Sequence, residues 1–248
     1  MANCILLVFE GEVTEKNIWL SLKRFYLSDP RAPIIYGIYG TEIYSLYHRM
    51  AKDPDLDLFS VLKGDQRNAA LLKDVSKEDV SEIYLFFDYD GHAAGATDEK
   101  LRHMLEFFHE ETENGKLYLS YPMVEAIRHI NPCIPFGGVV AKCKENIRYK
   151  GVVAKATKNP FQDTSRYSEE LWQYVISEHC KKLGKLMTDN FQLPTEYYDQ
   201  TSIFERQLEK HIIPSKEVSV LSAFPIFLLD YYGHSKFCEN LERAEYKA

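Results

Sequence analysis

Apolar residues fill whole strand-length runs in the first half of the chain, and between those runs they recur at helical spacing. The run ILLVF (5–9) has no polar position at all, the mark of a strand covered on both faces, as in a parallel sheet. After the polar turn EGEVTE, residues Ile18, Leu20, Leu22 and Phe25 lie among charges, which predicts an amphipathic helix with Thr14 as its N-cap. A second strand is expected over 32–40 (APIIYGIYG), then a helix from TEIYSLYHRMA, then one or two short helices within the mixed stretch 52–81. A third buried strand follows at 82–90 (EIYLFFDYD), a helix at 97–111 and a fourth strand at 115–122 (GKLYLSYP). This alternation predicts an α/β fold with a parallel, Rossmann-like sheet of about four strands, flanked by helices and joined by right-handed crossovers.

The pattern changes near residue 130. NPCIPFGG (131–138) reads as a connector, and 131–248 reads as a mainly helical C-terminal region, with long helical patterns at 167–187 and in TSIFERQLEKHII. Near the end, VSVLSAFPIFLLDYYG (218–233) is apolar, but its Pro225 forbids a regular central strand; a short strand turning into a buried helix is expected. The expected division is therefore an α/β domain over 1–130 and a mainly helical region over 131–248.

Composition narrows the function classes. With 45% hydrophobic and 27% charged residues the 248-residue chain is of ordinary globular type. Its net charge of -7 argues against coating nucleic acid by bulk electrostatics and makes local sign asymmetry the relevant quantity. That asymmetry peaks at 142–158, where Lys142, Lys144, Arg148, Lys150, Lys155 and Lys158 face a single Glu145. These cations could neutralise several phosphates, with Tyr149 available to stack on an exposed base, although a solvated face is an equal reading. Five scattered cysteines without CxxC spacing predict reduced thiols rather than a disulfide framework or a zinc site. The first apolar run is too short for a signal peptide or a membrane span, so a cytoplasmic protein with no membrane partner is expected.

The candidate chemistry lies at the ends of the apolar runs. In an open parallel sheet the functional crevice lies beyond the carboxyl ends of the strands. Glu10 ends the first run; Asp88 and Asp90 end the third, and strand alternation would turn both toward one point. Three converging carboxylates need a cation, and all-oxygen ligands favour Mg²⁺ or Mn²⁺. Gly11 and Gly91, directly after Glu10 and Asp90, would let a phosphate or hydrated metal approach the backbone. Two ions about 4 Å apart can hold the attacking and leaving oxygens of a phosphodiester in line. Each motif alone also fits a turn or a helix start. His92 could position a phosphate or shuttle a proton, or simply lie in a solvated turn, and Gly40 and Thr41 could reach the rim.

VFEGEVTE (8–15) together with FFDYD (86–90) resembles the Toprim domain, in the EGxxTE form carried by OLD-family and RloB-like nucleases and by the effector of the PARIS antiphage system. The resemblance covers about residues 4–130. It implies that Glu10 is a metal ligand or general acid and base, that Asp88 and Asp90 are metal ligands, and that Glu125 and Glu15 are further candidates for the metal site. It implies a Mg²⁺-dependent nuclease acting on RNA, tRNA included, or on DNA. By the same resemblance the protein would be a toxic effector of bacterial antiphage defence, restrained by a separate ABC-type ATPase, with a homodimer left open. The other readings are a Toprim scaffold that has lost catalysis and serves as a sensor or interaction module, and a phosphoryl-transfer enzyme for a small substrate.

Overall fold

The computed structural model describes residues 4–27, 34–39, 43–53, 55–92 and 95–242, and Gly40 and Thr41 lie outside them. The chain forms two compact units. The first is Met1–Asp88 with Thr97–Tyr118; the second is Tyr89–Ala96 with Leu119–Ala248. The expected boundary near residue 130 falls inside the second unit, and residues 89–96 belong to that unit as well. Their attachment has a local cause: the Tyr89 N–H donates to Ser120 O at 3.0 Å, and the buried Tyr89 ring packs 5.5 Å from Tyr121 and 6.2 Å from Phe204.

The first unit is α/β. Its strands are β1 (Cys4–Phe9), β2 (Ile34–Ile38), β3 (Val80–Asp88), β4 (His109–Glu110) and β5 (Gly115–Ser120), in the sheet order β2-β1-β3-β5-β4. β1 runs parallel to both β2 and β3, and every one of its residues is buried, as its unbroken apolar run requires. The helices are α1 (Thr14–Leu22), α2 (Ile43–Lys52), α3 (Leu58–Lys63) and α4 (Asp98–Phe107). Thr14 is the first helical residue of α1, not its cap; that position is Val13, which supplies no side-chain bond. Thr97 does cap α4, accepting from the Lys100 N–H at 3.1 Å.

The sheet differs from the expected one at its edge. Two residues after α4 pair antiparallel with the start of β5, His109 opposite Lys116 and Glu110 opposite Gly115, making the sheet mixed. The four residues 111–114 turn the chain back, and Gly115, paired opposite Glu110 at the start of β5, takes φ +94, a conformation that glycine adopts without strain.

The second unit is mainly helical. It holds β6 (Val140–Lys142), α5 (Tyr149–Ala156), α6 (Glu169–Thr188) and α7 (Gln200–Gln207), which runs through a π-helical turn at Leu208–Ile212 into α8 (Ile213–Ser215). β7 (Glu217–Ser219), α9 (Ala223–Tyr231) and α10 (His234–Glu242) complete it. β6 and β7 pair antiparallel. Pro225 is the third residue of α9, where it has no intrahelical donor to lose, so the strand-then-helix reading of 218–233 holds. Ser168 caps α6, which buries Trp172, Val175, Ile176 and Leu183 and packs against α7 and α9. All five cysteines are free thiols, four of them buried.

α6 also contains the tightest backbone approach in this unit. A Cβ on Gly184 would stand 2.0 Å from the backbone carbonyl oxygen of Gln192. Backbone cannot swing aside as a side chain can, so Gly184→Ala should lose about 1–3 kcal/mol of stability despite the better helix propensity of alanine. Thermal unfolding should show the loss as a lowered Tm; an unchanged Tm would mean that the 190–192 turn does not pack on the helix.

Candidate active site

The first unit places Glu10 immediately beyond β1. Its N–H donates to Phe86 O at 3.2 Å, continuing the β1–β3 ladder by one bond. Its side chain then reaches across the strand ends, and Glu10 Oε2 accepts the backbone N–H of Asp88 at 3.0 Å. A carboxylate is thus fixed at the carboxyl edge of two adjacent parallel strands, beside the backbone of a second acidic residue. Both residues are only half-buried, so the edge stays open to solvent.

Glu15 has a different position from the one its motif suggested. It is buried on the first turn of α1, and its Oε1 accepts the Gly11 N–H at 3.1 Å. A Cβ on Gly11 would come within 2.8 Å of Glu15 Oε2. Gly11 therefore makes room for the chain's own carboxylate, which ties down the EGE turn, and the reading of this glycine as space for a phosphate is corrected.

One cation at this edge carried no sequence signal. Arg67, from the 66–68 turn, donates to Tyr39 O at 2.6 Å just past β2 and stands 3.6 Å from Glu12. Its firm partner is Asp65 at 2.5 Å, whose side-chain hydrogen bond with Arg67 holds the Asp65 carboxyl below the usual carboxylate range. Arg67 sits in a stretch with neither apolar periodicity nor a motif.

Within the second unit, Asp90 departs from the expected geometry. β3 ends at Asp88, and Asp90 takes φ +40, a left-handed conformation that Asp tolerates better than most residues. Alternation along an extended strand therefore does not reach Asp90. Its Oδ1 stands 2.9 Å from His92 Nδ1, and His92 is an exposed turn residue beside that acid, in line with the solvated-turn reading. Gly91, between them, would put a Cβ 2.5 Å from Tyr89 Cε1. Like Gly11, it admits a neighbouring side chain, here a buried ring, and its reading as space for a ligand is corrected too.

Asp90 and His92 line a cleft of about 300 Å³ that is completed by Met123, Lys142, Arg148 and Lys150. Three of the six predicted cations thus share a cavity with one of the predicted acids, which no spacing rule could reveal. Lys142 is paired there with Glu217 at 3.1 Å. Lys144 lies with its Nζ 5.5 Å over the Tyr89 ring, and Lys155 and Lys158 are exposed and do not line the cleft. Tyr149 is 3% exposed and its hydroxyl bonds His129 Nδ1 at 2.8 Å, so it cannot stack on an incoming base as the sequence suggested. Burial, and the nearby Lys182, lower the pKa of His129 to about 4, leaving a neutral ring against that hydroxyl.

Glu125 lies in the 3₁₀ turn Val124–Arg128 and is 3% exposed. One of its oxygens is 3.8 Å from Lys150 Nζ, and the other, Oε2, is buried with no hydrogen-bond partner. A buried, half-satisfied carboxylate is costly and uncommon, which keeps Glu125 among the candidate site residues. Among the described residues no group of three or more His, Cys, Asp or Glu side chains is placed to hold a metal ion, and no helix is long and apolar enough to cross a membrane. Glu10 and Asp88 nevertheless offer the hard oxygen donors that Mg²⁺ takes, since that ion keeps several waters and uses one or two protein carboxylates. Accepting one N–H also leaves a carboxylate further lone pairs. No protein-family model matches the chain, and no curated protein or solved structure matches it.

Proposed function

We propose that the protein is a Mg²⁺-dependent nuclease that cleaves phosphodiester bonds in RNA, tRNA included, or in DNA. The observation that carries this reading is the Glu10 carboxylate held 3.0 Å from the Asp88 backbone at the carboxyl ends of neighbouring parallel strands. Open α/β sheets place their chemistry at that edge. Glu10 and Asp88 would hold the ion; Asp90 and Glu125, the other acids of the resemblance, belong to the second unit. When bound, the ion supplies electrostatic stabilisation of the charge that develops on the scissile phosphate. The cations of 142–158 would carry the polynucleotide by its phosphates. By resemblance to the PARIS effector, the protein would act in the bacterial cytoplasm as a toxic antiphage effector, held in check by a separate ABC-type ATPase.

Purified protein incubated with end-labelled RNA and DNA, in Mg²⁺ and in EDTA, tests the reading. Shortened strands in Mg²⁺ alone are the expected result. Intact strands under both conditions, in the presence and absence of a cognate ATPase, would refute it. A second reading is favoured by one observation: Glu10 and Glu15 each bond a backbone N–H and so serve the architecture of the edge. On that reading the acidic edge belongs to a scaffold that binds without cleaving.

A further inference from the structure

The lining of the cleft in the second unit combines cationic and apolar side chains. Arg148 and Lys150, both exposed, lie at the start of α5 and line the cleft. Among the described residues the Arg148 guanidinium has no ion pair or hydrogen bond, and its backbone is set in the left-handed region (φ +52) with its N–H bonded to Asn146 Oδ1 at 3.0 Å. Lys150 has only a long contact to Glu125, at 3.8 Å. A cation without a partner beside a second one that is loosely held is a place for a phosphate, reinforced by the first turn of a helix. Met123 and Ile147 give the lining apolar surface, and the buried Tyr149 also lines the cleft. The acids that face the cavity are Asp90, already paired with His92, and Glu145.

We propose that this cleft receives one unpaired nucleotide of a single strand, its phosphate at Arg148 and Lys150 and its base against Met123 and Ile147. The volume suits one nucleotide. At about 300 Å³ the cavity lies at the small end of ligand-binding clefts, a size that suits a single base with its sugar and phosphate, and a base seated within it is taken out of a pair. Flat heterocycles also lie well on polarizable Met and branched aliphatic surfaces. The inference rests on the nuclease reading only in naming a polynucleotide as the ligand; it specifies single-stranded substrate, or a nucleotide turned out of a duplex.

The test measures binding without turnover. Fluorescence anisotropy of labelled 12-mers, with Glu10→Gln protein in EDTA, compares single-stranded RNA, single-stranded DNA and the corresponding duplexes. Single strands should bind at least tenfold more tightly than duplexes, and either sugar giving the tighter complex supports the proposal while identifying the strand. A nucleoside monophosphate should compete, and inorganic phosphate at the same concentration should not. Arg148→Gln, which removes no intramolecular partner, and Arg148→Gln with Lys150→Gln should weaken binding about tenfold or more and flatten the salt dependence by roughly one to two phosphate contacts. Equal affinity for single strand and duplex, competition by phosphate alone, or unchanged affinity and salt slope in both variants would overturn it. Tight single-strand binding by a wild-type protein that never cleaves would remove the nuclease reading and leave this inference standing; cleavage indifferent to both variants would do the reverse.

Discussion

Glu10→Gln should reduce Mg²⁺-dependent cleavage by about 10²- to 10⁴-fold, the range over which a single catalytic acid or base acts, while leaving stability within about 0.5 kcal/mol. The second half of that expectation makes the first informative. Glutamine keeps an oxygen that can still accept the Asp88 N–H, so the bond that closes the edge of β1 and β3 survives and only the charge is lost. Glu10→Ala removes both, and should cost about 1 kcal/mol in addition to activity. Rates on a labelled oligonucleotide, with denaturant titrations of the same three proteins, separate the two roles. Activity within a few fold of wild type in Glu10→Gln would take Glu10 out of the chemistry and leave it as the structural clasp of the sheet edge.

The regular part of the first unit was legible because its signals are local. A run such as ILLVF can only be a strand covered on both faces, and β1 is buried throughout. Pro225 likewise announced the helix that begins two residues earlier. What could not be read depends on contacts between distant segments. The glycines of EGE and DYDG suggested ligand space after each acid, but the space is filled by Glu15 and by the Tyr89 ring, which come from the chain itself. Tyr149 looked like a stacking platform because its neighbours are cations, yet His129, twenty residues earlier, takes its hydroxyl into the interior. The left-handed turn at Asp90 defeats the alternation argument in the same way, since one positive φ redirects a side chain that strand periodicity would place beside Asp88. The cations at 142–158 were visible as a charge run, while the selection of Lys142, Arg148 and Lys150 as cleft residues required the fold.

The stability of the second unit should fall by about 3 kcal/mol between pH 7.5 and pH 4.5, before most carboxylates titrate. The cause is a set of buried bases around α6. His179 is fully buried: its Nε2 donates to Ile127 O at 3.3 Å, its Nδ1 accepts the Ser222 N–H at 3.2 Å, and its ring lies 4.8 Å from Phe136. With one nitrogen required as an acceptor, the ring must be neutral, and burial, together with Lys182, lowers its pKa from 6.5 to about 3. An unfolded histidine takes up its proton as pH falls through 6.5, whereas the folded one resists until about pH 3. Across that window the unfolded state binds more protons, so the stability present above pH 6.5 is lost progressively as pH falls. Two pH units below 6.5 correspond to about 3 kcal/mol, most of it from this residue. His129, lowered to about 4 but more exposed, adds a smaller, screened amount of the same sign. Lys182 acts in the same direction at higher pH. Its ammonium donates to Phe136 O at 3.0 Å and to Val139 O and lies 4.2 Å from the Phe136 ring, but burial still lowers its pKa well below 10.5. Its contribution should therefore rise with pH on the approach to 10.5. Guanidinium titrations in a Trp19→Phe background, where Trp172 is the remaining tryptophan, follow the second unit directly. His179→Gln should be less stable than wild type at pH 7.5, because the ring contact is lost, yet should lose much less on acidification. Parallel losses in the two proteins would show that His179 is not the group whose discharge the fold depends on.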